Sequence, residues 1–218
     1  IVNDLDGFIS NFWRAIQHNP DAVAEYCDWP INERDLHARH SWMVTEGRDR
    51  IAAMSGDPAA YCPQVAGWWV WGACAWIAGG WCSGEGPWSW DGAAWVKDGD
   101  GMGINRKMPQ ASFAQGINRA MPHVGNLGRG INRQKIDVRQ WFADLAARLR
   151  HVVVFNGDWK RAVGSPSVLG LPTFAPSGVF LDPPYKKFEA LYTAHSTSAA
   201  SQCEAWCREN GDMRIALC

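Results

Sequence analysis

The stretch Gly178-Val179-Phe180-Leu181-Asp182-Pro183-Pro184-Tyr185 decides how the chain is read. Gly178 to Leu181 is a short unbroken apolar run, the pattern of a strand buried in a parallel sheet. Asp182 follows at once, and two prolines end the strand because neither can donate to a sheet ladder. In open α/β sheets ligands bind beyond the carboxyl ends of the strands, so Asp182 to Tyr185 stand where a site is expected.

The text around this stretch repeats the alternation. His151 to Phe155 (HVVVF) is a second apolar run, and a helix over Ser196–Asn210 followed by Met213–Cys218 predicts a third strand. Asp137 is expected to cap a helix running to Arg150, with Val138, Trp141, Phe142, Leu145 and Leu149 on one face. At the other end, residues 1–4 read as a strand end. Phe8, Ile9, Phe12, Trp13 and Ile16 then space an amphipathic helix over Leu5–Gln17. Two or three short helices are expected between Pro20 and Ala53, and Asp57-Pro58 marks the start of another. Strand–helix alternation on both sides of a central stretch points to an α/β fold built on an open sheet. Residues 1–56 and 137–218 are expected to form that α/β domain, with 57–136 as a mostly helical and loop insertion. The IVND and RIALC ends both read as strands cut short, so the sheet is expected to be truncated at both ends.

Composition sets the bounds. With 218 residues, 47% apolar and 20% charged, the chain can bury a core without metal or disulfide staples and is not a disordered polymer. Val65 to Cys82 is eighteen uncharged residues, close to the length of a membrane span. Its four glycines and its tryptophans through the centre argue instead for a buried helix, and no membrane association is expected. No basic segment followed by an apolar one marks a signal peptide. The seven cysteines are irregularly spaced without a CxxC, which predicts reduced thiols in a cytoplasmic protein. The six scattered histidines predict no metal site. Asp98-Gly-Asp100 superficially opens a calcium loop, but Met102 and Pro109 fall where ligands are required.

Charge is unevenly placed. The net charge is −1, yet residues 101–135 carry six basic and no acidic side chains. A near-repeat lies there: Gly103-Ile-Asn-Arg106, Gly116-Ile-Asn-Arg119 and Gly130-Ile-Asn-Arg133. Arg106, Lys107, Arg119, Arg129, Arg133 and Lys135, among glycines and asparagines, suit phosphate contacts and base-edge readout, the alternative being a solvated loop. Trp88 and Trp90 read as core before they read as stacking platforms.

Taken together, the chain resembles the Dam-like family of S-adenosylmethionine-dependent DNA adenine N6-methyltransferases, found in bacteria and phages and often in restriction–modification systems. DPPY after an apolar strand is that family's catalytic motif. Val2-Asn-Asp4-Leu-Asp6 ahead of a helix resembles its ribose-binding strand end, and Gly157-Asp158-Trp159 its adenine-side cofactor motif. The resemblance implies a class I methyltransferase (Rossmann-like) open sheet, S-adenosylmethionine as cofactor, double-stranded DNA as partner and no obligate protein partner. It places the protein in the cytoplasm of a bacterium or phage-infected host. The family's Gly-rich cofactor loop would precede residue 1. The sequence as given is therefore expected to lack that loop and, alone, to be inactive.

The resemblance also distributes roles. Asp182 and the Pro183 carbonyl would accept the two N–H bonds of the adenine amine, with Pro184 fixing the turn and Tyr185 stacking on the flipped base. Asp4 would accept from ribose hydroxyls; its competing role is to cap the helix at 5–17, and Asp6 competes for both. Asp158 would accept from the cofactor adenine amine with Trp159 beside the ring, or else cap a helix with Trp159 in the core. Another planar amine, cytosine N4 or a glutamine amide, is the nearest alternative substrate, though those families more often carry Ser or Asn at the position of Asp182. A catalytically silent DNA-binding module is the alternative from another class.

Overall fold

Phe8, Phe12, Ala15 and Ile16 recur at helical spacing and are all buried, so one face of α1 (Gly7–His18) is the seam on which other helices close. The computed structural model describes residues 1–54, 56, 57, 59–76, 81, 82, 88–97, 137–164, 178–184 and 198–218. They divide into two units, one of residues 7–154 and one of residues 1–6 with 155–218.

In the first unit, α2 (Pro20–Cys27), α5 (Pro63–Ala75) and α6 (Val138–Leu149) pack with α1 around Phe12, Ile16, Val23, Cys27, Ala66 and Phe142. Burying Phe142 completely contributes roughly 1.5–3 kcal/mol. The helix ends are satisfied locally. Asn19 Oδ1 accepts from Ala22 N (3.2 Å), and Pro20 occupies a first position that needs no amide donor. Asp137 caps α6 as expected, accepting from Arg139 N at 2.9 Å. At the far end Gln17 Nε2 donates to Leu149 O (2.8 Å), the last carbonyl of the helix, which also accepts from Val152 N (2.8 Å), and to Val152 O (2.6 Å) just beyond it.

A second cluster joins α3 (Glu33–Trp42) and a single π-helical turn (Met43–Gly47) to α5 through Leu36, Met43, Val65, Trp71 and Trp81, with Ile51 of α4 (Arg48–Ala53) packed against it. The π turn is where Thr45 Oγ1 bonds back to Ser41 O (2.9 Å), a contact that competes with the regular ladder. Arg39 is buried with its guanidinium 4.1 Å from the centre of the Trp71 ring, 5.1 Å from Trp68 and 5.7 Å from Trp29. Ring faces attract the cation where solvent does not reach it. His40, also buried, stacks on Trp76 at 4.6 Å.

Three expectations shift here. The helix expected over Val65–Cys82 begins at Pro63 and ends at Ala75, because Trp76 turns to extended geometry (ψ 137°). Trp81 lies against Gly72, which has no Cβ to keep the indole away, and donates to Trp69 O at 3.1 Å. Among the described residues, no helix is long and apolar enough to cross a membrane. Asp57 opens a turn and not a helix, its carboxylate accepting from Ala59 N at 2.8 Å. Part of the insertion expected to be helix and loop is a hairpin, β2 (Trp88–Trp90) antiparallel to β3 (Trp95–Lys97). Asp91 builds its turn by accepting from Ala93 N (2.8 Å) and Ala94 N (2.7 Å), and Gly92 supplies the positive φ of 104°.

The second unit holds the strand ends. β1 (Val2–Asp4) pairs with β4 (Val154–Asn156), and β5 (Gly178–Leu181) pairs in parallel with β6 (Arg214–Leu217) in the register Leu181↔Leu217. Parallel neighbours need a crossover, and α8 (Ala199–Glu209) lies in the one between β5 and β6 and packs on β6. The HVVVF run does not form a strand throughout: β4 starts only at Val154, and Val153 is 54% exposed. Nor is β5 covered on both faces. Leu181 is buried, whereas Phe180 on the opposite face is 66% exposed.

Candidate functional site

Three carboxylates stand at the carboxyl ends of three strands. Asp4 is the last residue of β1, Asp158 lies two residues past β4, and Asp182 follows β5 directly. Strand pairing brings the first two together and leaves the third on a separate two-stranded sheet.

The turns after β1 and β4 are tied by four hydrogen bonds. Gly157 N donates to Asp4 O (2.9 Å), and Asn3 Nδ2 donates to Gly157 O (3.1 Å). Asn156 Nδ2 donates to both Asp4 O (3.0 Å) and Leu5 O (3.1 Å). Gly157 has a φ of 138°, a conformation that a Cβ would strain, so the Asn-Gly pair in the sequence marks a real turn requirement.

Each carboxylate is held by its own turn. Asp4 Oδ1 accepts from Asp6 N at 2.8 Å. Burial raises the Asp4 pKa above its ordinary value; the Asp6 amide opposes that shift, while the Asp6 charge adds to it. Asp158 is exposed, and its Oδ1 accepts from Lys160 N (2.8 Å) at the head of the short helix α7 (Lys160–Val163). The N-cap position of that helix is Trp159, without a side-chain cap, and the single bond at Asp158 Oδ1 leaves its carboxylate with further acceptor capacity. Trp159 is half-buried, its ring edge-to-face with Trp206 at 6.1 Å.

Asp182 is exposed, with Pro183 and Pro184 half-buried behind it. The strand end carrying it is anchored by the buried Leu181, whose carbonyl accepts from Cys218 N at 3.0 Å. Tyr185 and the basic residues Arg106, Lys107, Arg119, Arg129, Arg133 and Lys135 lie outside the described residues. Among those described, no group of three His, Cys, Asp or Glu side chains could hold a metal ion.

Sequence reasoning did not single out Asn3, Asn156 or Trp206. Only the Asn156-Gly157 dipeptide carried a local signal, that of a turn. Compared with protein-family models, with curated proteins and with solved structures, the chain finds no match.

Proposed function

We propose that this protein transfers a methyl group from S-adenosylmethionine to the N6 amine of adenine in double-stranded DNA. The reading rests above all on Asp182-Pro183-Pro184 standing directly beyond Leu181, the buried last residue of parallel strand β5. It takes β1–β4 and β5–β6 as parts of one Rossmann-like methyltransferase sheet, with residues 57–136 as the DNA-recognition insertion and the bacterial or phage-infected cytoplasm as its setting.

The amine of adenine is a poor nucleophile because its lone pair is delocalised into the ring. The exposed Asp182 carboxylate accepts one of its N–H bonds and the Pro183 carbonyl accepts the other, which favours a pyramidal nitrogen with an available lone pair. Proline fixes φ and so pre-sets that carbonyl. S-adenosylmethionine, when bound, supplies an electrophilic sulfonium methyl. Asp4 and Asp158 fit the nucleoside part of such a cofactor, since they offer two acceptors from turns hydrogen-bonded to each other, one partly desolvated and one open to solvent. Trp159, held by Trp206, offers an aromatic surface next to Asp158. The base has to leave the duplex to reach Asp182. The basic side chains of 101–135 then serve to hold phosphate.

Incubating the full-length protein with methyl-labelled S-adenosylmethionine and unmethylated duplex DNA tests the reading. Label recovered as N6-methyladenine is expected. Label in N4-methylcytosine or in a glutamine side chain moves the activity to another planar amine, and DNA binding without transfer makes the protein a catalytically silent binding module.

A further inference from the structure

We infer that Asn156 is a positioning residue for the cofactor, acting through a clamp that locks the Asp4 turn to the Asp158 turn; this rests on the methyltransferase reading above. β1 and β4 are only three residues long, too short for the ladder to fix what lies beyond its end. The structure extends the pairing past the ladder with side chains. Asn156 spends both amide hydrogens on main-chain carbonyls of the opposite turn, those of Asp4 and Leu5, and Asn3 reaches back to the Gly157 carbonyl. The Asp4 carbonyl accepts twice, from Gly157 N and from Asn156 Nδ2.

The arrangement does little for global stability. Asn156 is exposed, so its carbonyl partners could bond to water instead, and each bond is worth at most about 0.5–1.5 kcal/mol net. What the clamp supplies is direction. Asp4 Oδ1 is oriented by Asp6 N and Asp158 Oδ1 by Lys160 N, so each carboxylate points where its own turn points. Fixing one turn against the other fixes the offset between the two acceptors, and two acceptors at a fixed offset select a rigid ligand with two donor groups. Gly157 belongs to the device, because its φ of 138° lets Asn156 and Asp158 sit on either side of a tight reversal.

The test uses full-length protein, wild type and the variants Asn156→Ala, Asn156→Asp and Asn3→Ala, with S-adenosylhomocysteine as the calorimetric probe. Asn156→Asp keeps the shape but cannot donate. Both Asn156 variants should weaken probe binding by about 10- to 100-fold, the scale of a misplacement near 1 Å, with Asn3→Ala weaker in effect. KM for S-adenosylmethionine should rise by a similar factor, while kcat at saturating cofactor stays within about twofold of wild type; a role in stability alone would not split the two constants in this way. Amide exchange at Asp6, read without any cofactor, should accelerate in both Asn156 variants. Wild-type probe affinity and wild-type Asp6 exchange in the variants overturn the clamp. A wild-type protein that binds no probe, with Asp6 exchange still accelerated in the variants, overturns the cofactor reading and leaves the clamp standing.

Discussion

Asn11 holds the main chain of Cys62 by both of its polar groups: Nδ2 donates to Cys62 O at 3.0 Å, and Oδ1 accepts from Cys62 N at 2.8 Å. Asn11 is completely buried in α1, and Cys62 is the residue before α5, so one amide sets where the most tryptophan-rich helix begins. Asn11→Ala removes both contacts at once: the Cys62 carbonyl keeps the bond it accepts from Ala66 N (3.1 Å), but the Cys62 amide loses its Asn11 acceptor. The expected loss is about 1–3 kcal/mol of unfolding free energy, the cost of one orphaned amide. Urea denaturation measures it; a loss below about 0.5 kcal/mol would show that water takes over the Cys62 amide.

The second prediction concerns acid. Burial holds the pKa of His40 down at about 4, and the neighbouring His37 and Arg48 charges push it the same way. The imidazole is therefore neutral in the folded protein at pH values where the unfolded chain, with its ordinary value near 6.5, has already bound a proton. Unfolding takes up a proton between those two values, so stability falls as pH drops from about 6.5 to about 4, by up to about 3 kcal/mol from this residue. His40→Phe keeps a ring against Trp76 and should flatten that limb of a Tm-against-pH curve. A variant with the same acid slope as wild type would locate the titration elsewhere.

The third concerns Gly67. A Cβ there would sit 2.6 Å from Val23 O and inside the Tyr26 side chain, where α5 crosses α2. Alanine favours a helix over glycine by about 1 kcal/mol, but overpacking a closed contact costs about 1–3 kcal/mol, and a main-chain carbonyl cannot move aside. Gly67→Ala should therefore destabilise, reversing the sign expected from helix propensity. Thermal unfolding decides: a higher Tm in the variant would mean that α5 can shift away from α2.

How far the sequence could be read depended on whether the signal was local. The α1 stripe of Phe8, Phe12 and Ile16 and the Asp137 cap depend on neighbours a few residues away, and both appear in the structure. The end of α5 at Ala75 depends on Trp81 folding back on Gly72, a tertiary contact that overrides eighteen uncharged residues. The hairpin at Trp88–Lys97 was hidden because its strands are three residues long and its alternation passes for an aromatic-rich loop. That Asp4, Asp158 and Asp182 stand at or just past strand ends was legible from the runs that precede them. The clamp was not, since Asn156 meets Asp4 and Leu5 across more than 150 residues of sequence, and nothing within a short window marks that meeting.

The last prediction concerns residues 101–135, six basic and no acidic side chains in a chain of net charge −1. If this stretch meets the DNA backbone, each arginine that neutralises a phosphate releases counterions, and binding weakens with salt by about 0.9 in log–log slope per contact. Replacing Arg119, Arg129 and Arg133 together with Ala should flatten the slope by up to about 2.7 while weakening affinity for every DNA sequence alike. An arginine that reads a base behaves differently: its replacement relaxes preference at one position and costs about 1–3 kcal/mol on the preferred site only. Titrating DNA at several salt concentrations, on random and methylatable duplexes, separates the two. An unchanged slope on both would mean that these arginines do not meet phosphate.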